Sequence, residues 1–155
     1  SKGAILNICI GQGEILVTPI QVLNFTNLLA TNGSAETPHF VMVDNLPKNV
    51  EPKLNPGIWG QIEQDMENVI IHENGTGKIA NPHLKNARVF GKTGTAENPH
   101  GRDHAWFIGW ISFEGELYSV VVLMENAGSG GTKAAPIAKQ VFKSIYKHTT
   151  KQEKL

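Results

Sequence analysis

The chain has 155 residues, which corresponds to one domain or to a large piece of one. Its 14 basic residues balance its 14 acidic residues, and this zero net charge argues against a protein that binds nucleic acid through a broad basic face. The single cysteine, Cys9, excludes an internal disulfide and a four-cysteine zinc site. With 40% hydrophobic residues, the composition predicts a soluble folded unit in which Cys9 is a small buried hydrophobe.

The N-terminal part of the chain is predicted to contain one helix. Ser1 to Ile10 is predicted to be extended or irregular. Thr18 has the features of a helix N-cap, because Pro19 follows at the first helical position and Gln21 stands three residues after the cap. Apolar residues then recur over about three turns, and Asn32-Gly33 is predicted to end the helix.

The middle of the chain is predicted to contain a short β-like segment and a second helix. The β-like segment is Phe40 to Val43, and the proline-containing stretch from Asn45 to Asn55 is predicted to be a loop. Apolar residues recur at helical spacing from Pro56 to His72, so a helix is expected there. Gly75-Thr76-Gly77 is predicted to be a turn.

The periodicity then changes to that of strands. Three strands are predicted, at Arg88 to Ala96, His104 to Phe113 and Tyr118 to Glu125. Their short connections favour an antiparallel meander. Helices followed by a meander and a packing helix indicate an α+β fold, with an antiparallel sheet of three strands packed by helices.

The C-terminal part is predicted to be one amphipathic helix. It follows a glycine-rich loop at Gly128 to Gly131 and runs from Lys133 or Ala134 to about Lys147. Residues 148–155 are predicted to be a frayed tail.

The sharpest local feature is Lys92-Thr93-Gly94-Thr95, which lies inside a predicted strand. A glycine inside a strand marks the close approach of a ligand or of another backbone. A lysine beside two hydroxyl residues suits an anionic group such as a carboxylate. Strand alternation places Thr93 and Thr95 on one face and Lys92 on the other. A solvated edge strand without a ligand remains the alternative interpretation.

Two other kinds of site fit the residues less well. Gly91-Lys92-Thr93 imitates the end of a phosphate-binding loop, but Asn86 stands where the first glycine is required and no helix is predicted to follow. His100 and His104 are four residues apart, but Asn98-Pro99 and Gly101 indicate a loop and not a helix, and no further ligands stand nearby, so we expect no metal and no cofactor. Asp103 and His104 are candidates for a hydrogen-bonded pair that orders the loop beside Lys92, a structural role being favoured.

The segment Lys92 to Ala96 resembles the third signature of penicillin-binding proteins and related serine β-lactamases. Four further stretches resemble the class B members of this family, especially the elongation type, and occur in the same order. They are Gly11-Gln12-Gly13 with Thr18-Pro19 and Gln21, Gly75-Thr76-Gly77, Arg102 to Phe107, and Ala134 to Ala138. Together they cover nearly the whole chain.

This resemblance implies a transpeptidase fold and a role for each residue of the motif. Lys92 would line the site and set its positive potential. Thr93 and Thr95 would offer hydroxyls to the carboxylate of a stem peptide ending in D-Ala-D-Ala, or of a β-lactam. Gly94 would leave room for a substrate that pairs as an extra strand. The backbone N–H of Thr95 would be one oxyanion-hole donor.

The sequence departs from the family pattern in lacking a nucleophile. The family pattern has a nucleophilic serine with a lysine three residues later (S-x-x-K), and it stands before the segment that corresponds to the Lys92 motif. The one S-x-x-K match in this chain, Ser144 to Lys147, follows the Lys92 motif, so we interpret it as a coincidence on a surface helix. A further signature of the family, a serine and an asparagine separated by one residue (S-x-N), does not occur in the chain. We therefore expect residues 1–155 to be the C-terminal portion of a single transpeptidase domain that is inactive alone. The alternative is a non-catalytic domain of the same fold that binds peptidoglycan or a partner protein.

The resemblance also implies the setting of the parent protein. It would cross-link peptidoglycan through a serine acyl-enzyme and bind penicillin, with its anchor in the bacterial inner membrane and this domain in the periplasm. Its expected protein partner would be a glycosyltransferase of cell elongation. We do not expect it to bind nucleic acid. We expect the isolated chain to self-associate, because missing strands would leave a sheet edge exposed.

Overall fold

The computed structural model describes residues 2–13, 15–34, 36–42 and 52–152. Within these ranges the chain forms four α-helices, one short 3-10 turn at Lys78–Ala80 and three strands. The helices are α1 (Lys2–Cys9), α2 (Pro19–Ala30), α3 (Pro56–Ile71) and α4 (Gly130–Gln152), and the strands are β1 (Ala87–Ala96), β2 (His104–Phe113) and β3 (Glu116–Met124). In this part of the chain, none of the helices combines the length and hydropathy that crossing a bilayer requires.

The three strands form the antiparallel meander that the sequence predicts, in the order β1-β2-β3. The first pair runs in register from Ala87 opposite Phe113 to Ala96 opposite His104. Glu114 and Gly115 close the hairpin between β2 and β3, and both have positive φ, 53° and 83°. Such a turn matches the right-handed twist of its strands and fixes their register. The α+β fold class is confirmed.

One face of the sheet packs against α4. Phe107 of β2 and Phe142 of α4 are fully buried, and their rings meet edge to face with centroids 6.3 Å apart. Three small residues of α4, each fully buried, bring the helix close to the strands: Ala134, Ala135 and Ala138. This face holds the larger of the two core clusters.

The opposite face packs against α2 and α3. Phe90 and Trp110, which are partners in the β1–β2 register, stack with centroids 4.8 Å apart. Met66 of α3 and Leu29 of α2 contact this pair. The sheet is therefore covered on both faces, which fixes the position of β1 and of the Lys92 motif that it carries.

The predictions for α2 and α3 are confirmed. Thr18 caps α2 with a full capping box: its side chain accepts from Gln21 N–H, and the Gln21 side chain accepts from Thr18 N–H at 2.8 Å. Asn55 caps α3 by accepting from Gly57 N–H at 2.9 Å. Both helices begin with proline, as the sequence indicates.

Two predictions for the N-terminal part are wrong. The residues expected to be extended form α1 from Lys2 to Cys9, and no residue of this helix is buried. Ile5, Leu6 and Ile8 of this helix are all exposed, so burial does not account for its formation. Cys9 is accordingly exposed and not a core residue.

The β-like segment is not a strand in its described part. Residues 40–42 form no strand, and Phe40 and Met42 are 90% and 97% exposed. These residues are not part of the three-stranded sheet. Val43 and residues 45–51 of the predicted loop lie outside the described residues.

Helix α4 is longer at both ends than the sequence predicts. It begins at Gly130, inside the stretch predicted to be a glycine-rich loop, and it continues through Gln152. Residues 148–152 of the predicted tail are thus helical, whereas residues 153–155 lie outside the described residues. The early start reflects packing: Gly130 lies so close to the sheet that a side chain would overlap the carbonyl oxygens of Trp106 and Gly94.

An ion-pair cluster joins β1 to α3. The guanidinium of Arg88 donates to both carboxylate oxygens of Glu67, at 2.9 and 2.8 Å, and to Glu63 at 3.1 Å. It also lies 4.8 Å from the centre of the Phe90 ring. The strand that carries the Lys92 motif is thereby fixed along its first half.

Candidate active site

The residues of the Lys92 motif occupy the second half of β1. The register pairs Thr93 with Phe107 and Thr95 with Ala105, so both threonines lie on the face that packs against α4. Lys92 lies on the other face, as alternation predicts. Lys92 and Thr95 are exposed and Thr93 is half-buried. The motif stands mid-strand, not in a loop before a helix, which is the wrong setting for a phosphate-binding loop.

No described strand pairs with the outer edge of β1 at this motif, and we call this edge open. The carbonyl oxygens of Thr93 and Thr95 accept from side chains, from Lys92 Nζ at 2.6 Å and from Gln12 Nε2 at 3.1 Å. In an antiparallel strand the N–H and C=O of one residue point to the same side. The N–H of Thr95 therefore faces the free edge together with its carbonyl, where an extended ligand could pair with it.

The first turn of α4 meets the motif from its threonine side. The N–H of Gly130 donates to Thr95 Oγ1 at 3.4 Å. The sequence predicts a close approach at Gly94, and the approaching group is the backbone of Gly130. Neither contact is visible in the sequence, because Gly130 and Thr95 are 35 residues apart.

A second hydroxyl stands next to the motif. Thr76 Oγ1 lies 2.8 Å from Thr93 Oγ1. Thr76 belongs to the predicted Gly75-Thr76-Gly77 turn, which is held to the end of α3 by Gly77 N–H donating to Val69 O at 3.0 Å. The sequence identifies the turn but gives no sign that its threonine reaches β1.

The loop between β1 and β2 is held by asparagines and not by an Asp103–His104 pair. His104 Nδ1 accepts from Asn126 N–H at 3.0 Å, and the Asp103 carbonyl accepts from Gly128 N–H at 2.8 Å. Asn98 Nδ2 donates to Asn126 Oδ1 at 2.7 Å. This loop lies at the end of β1 beside the motif, because His104 pairs with Ala96.

A cleft lies next to the open edge of β1. It has a volume of about 710 Å³ and is formed by the segment around Gln12 and by the β1–β2 loop, including Asp103. Ser144, the serine of the one S-x-x-K match, lies elsewhere, on the exposed surface of α4. Across the described ranges, histidine, cysteine and acidic side chains form no group of three that could hold a metal ion.

Sequence comparison finds one family over most of the chain. The penicillin binding protein transpeptidase domain matches residues 1–143. The peptidoglycan D,D-transpeptidase MrdA of Haemophilus influenzae is 34% identical, over 91% of this chain and 25% of its own length. MrdA of Salmonella typhimurium is 26% identical, over 94% of this chain and 27% of its own length. The chain thus spans about a quarter of the length of these curated relatives.

Solved structures give the same result. PBP2 of Pseudomonas aeruginosa, in complex with WCK 5153, superposes with a TM-score of 0.74 at 31% identity, covering 94% of this chain and 33% of that one. PBP2 of Helicobacter pylori, in complex with MreC, superposes with a TM-score of 0.73 at 30% identity, covering 93% of this chain and 28% of that one. The fold of nearly the whole chain therefore has solved counterparts.

Proposed function

Because the chain belongs to the penicillin-binding protein transpeptidase domain family, we propose that it forms the substrate-orienting side of a peptidoglycan D,D-transpeptidase site. In this proposal the nucleophilic serine lies in sequence outside these 155 residues, because no S-x-x-K precedes the Lys92 motif. One observation carries this proposal. Thr93 and Thr95 share a face of β1 at an open strand edge, with Lys92 on the opposite face.

Each group of the motif has a place in the reaction. The serine attacks the penultimate D-Ala carbonyl of a stem peptide, and the terminal D-Ala leaves. An amine of a neighbouring peptidoglycan strand then takes the acyl group from the serine. The N–H of Thr95, which faces the open edge, donates to the oxyanion. The hydroxyls of Thr93 and Thr95 hold the terminal carboxylate, and Lys92 supplies the positive charge that attracts it. The open edge admits the peptide as an added strand, and Gly94 keeps it clear of side chains.

The same groups explain β-lactam binding, since such a drug presents a carboxylate beside a reactive carbonyl. We propose a parent protein anchored at the bacterial inner membrane with this domain in the periplasm, where peptidoglycan lies. A glycosyltransferase of cell elongation is its expected partner. Asp103 lines the cleft next to the site, and His104 helps to hold the β1–β2 loop by accepting from Asn126 N–H.

Labelling with a fluorescent penicillin tests this function. The 155-residue chain alone should remain unlabelled, whereas the longer protein that contains it should take up one denaturation-resistant label. In that protein Lys92→Ala should slow labelling by about tenfold or more, the value of a charged hydrogen bond. Lys143→Ala, which removes an exposed lysine of α4, is the matched control and should have no effect. Stoichiometric labelling of the chain alone would place a nucleophile inside it and contradict the assignment.

The competing function is a non-catalytic domain that binds peptidoglycan or a partner protein. Both functions are compatible with the lack of S-x-N, and of S-x-x-K before the Lys92 motif, within these 155 residues. The residues encoded before Ser1 discriminate between the two, because a transpeptidase must carry both motifs there. A longer protein that binds peptidoglycan but is never acylated would establish the competing function.

A further inference from the structure

Thr76 is a hydroxyl residue in contact with the Lys92 motif, and the proposed function does not use it. Its Oγ1 lies 2.8 Å from Thr93 Oγ1, across a separation of 17 residues. The turn that presents it leaves little freedom. A side chain at Gly75 would overlap the Val69 carbonyl, and Gly77 N–H donates to that same carbonyl at 3.0 Å. Thr76 is thus held in place by the C-terminal end of α3.

The start of α4 closes on the same turn. A Cβ at Gly131 would come within 2.7 Å of the Thr76 carbonyl oxygen, so the helix and the turn are in direct contact at this point. The preceding residue, Gly130, donates its N–H to Thr95 Oγ1 at 3.4 Å. Each threonine of the motif therefore has one polar group placed behind its hydroxyl.

The direction of the Thr76–Thr93 hydrogen bond follows from counting hydrogens. A hydroxyl has one hydrogen to donate and two lone pairs that accept. If Thr93 gives its hydrogen to a carboxylate, then its contact with Thr76 can only be one in which Thr76 donates. The same holds at Thr95, whose oxygen accepts from Gly130 N–H and whose own hydrogen remains available.

We propose that Thr76 is a positioning residue of the site: it donates to Thr93 Oγ1 and so directs the Thr93 hydrogen towards the substrate carboxylate. Chains of hydrogen bonds also polarise one another, so the Thr93 hydroxyl becomes a stronger donor to an anion. This inference rests on the proposed function, in which Thr93 binds the carboxylate. It adds a requirement that lies outside the Lys92 motif, at the Gly75-Thr76-Gly77 turn.

A comparison of penicillin with its methyl ester isolates this role. In the longer protein that contains this chain, the acylation rate constant is measured for benzylpenicillin and for benzylpenicillin methyl ester. Thr76→Val should lower the rate with the free acid by about fivefold, the value of one neutral hydrogen bond, and leave the rate with the ester unchanged. Thr76→Ser keeps the hydroxyl and should restore the wild-type ratio.

A matched variant controls for the loss of a hydroxyl. Thr132→Val makes the same change at an exposed position of α4, where the hydroxyl contacts the Ser129 carbonyl, and it should leave both rates unchanged. Equal loss with acid and ester in Thr76→Val, or no rescue by Thr76→Ser, would assign Thr76 a purely structural role and overturn the inference. A wild-type protein that reacts equally with acid and ester would instead refute carboxylate binding by Thr93, and with it the proposed function.

Discussion

At the scale of single residues, two glycines allow the sheet and its core to close. Gly91 and Gly109 face each other in the β1–β2 register, and the fully buried ring of Phe107 lies against both. A side chain at Gly109 would overlap the Phe90 carbonyl oxygen, and one at Gly91 would overlap the Phe107 ring. Neither residue has a positive φ, so glycine is required here by the lack of space for a side chain and not by the backbone conformation.

We expect Gly109→Ala to destabilise the fold by about 2–3 kcal/mol, because the added methyl group has no room between strand backbones. Gly60→Ala is the matched control, since Gly60 is exposed on α3 and a Cβ there meets open space. Alanine at position 60 should stabilise by about 0.5–1 kcal/mol through its helix propensity. Urea unfolding of the two variants measures both changes, and equal midpoints would contradict the packing described for β1 and β2.

The sequence predicts the residues of the site better than it predicts their partners. Alternation along a strand is a local property, so the shared face of Thr93 and Thr95 follows from spacing alone. The contacts of Thr76 and Gln12 with these residues span 17 and 83 positions and depend on tertiary packing. Such contacts have no local sequence signal.

At the scale of helices and strands, the elements with local signals are those predicted correctly. Helix α2 has its capping residue, its proline and its glutamine at the positions that a helix start requires. The start of α4 has two glycines instead, and these indicate a loop. Helix forms there because Gly130 packs on the β1 and β2 backbones, where only glycine fits. Tertiary contact overrides local propensity at this end of the helix.

The ion pair between β1 and α3 makes part of the stability depend on pH. Hydrogen bonding from the Arg88 guanidinium holds the pKa of Glu67 below its usual range. A carboxyl group whose pKa is lowered by folding stabilises the protein above its unfolded pKa of about 4.3, and that contribution is lost as the pH falls through the folded value. Arg88 is 56% exposed, so solvent screening limits the contribution to about 1 kcal/mol.

Glu67→Gln should therefore reduce the free energy of unfolding by about 1 kcal/mol at neutral pH, and by less at about pH 3. Asp65→Asn is the control on the same helix, because Asp65 is exposed and its carboxylate accepts from the side chain of Gln61 at 2.9 Å. Urea unfolding at both pH values gives the comparison. A Glu67→Gln cost that stays constant with pH would show that the ion pair does not stabilise the fold.

At the scale of the whole molecule, both outer edges of the described sheet are available for pairing. The β1 edge is the proposed substrate site. The β3 edge borders an apolar groove of about 590 Å³ between α2 and α4, lined by residues such as Leu23, Val121 and Ile137. Apart from Glu116 at its first position, β3 carries no charged residue that would discourage pairing with another strand.

A second copy of the chain has the matching strand. Antiparallel pairing of two β3 strands places apolar residues opposite one another, and we therefore expect the isolated 155-residue chain to dimerise as its concentration rises. Leu117→Lys adds a charge to this edge at a position that is 42% exposed, so it should weaken dimerisation without disturbing the core. Ile58→Lys makes an equivalent change on α3, at a residue 46% exposed, and should leave dimerisation intact. Light scattering over a concentration series measures the molar mass of all three proteins. A wild-type chain that stays monomeric at high concentration, or two variants that behave alike, would contradict pairing through the β3 edge.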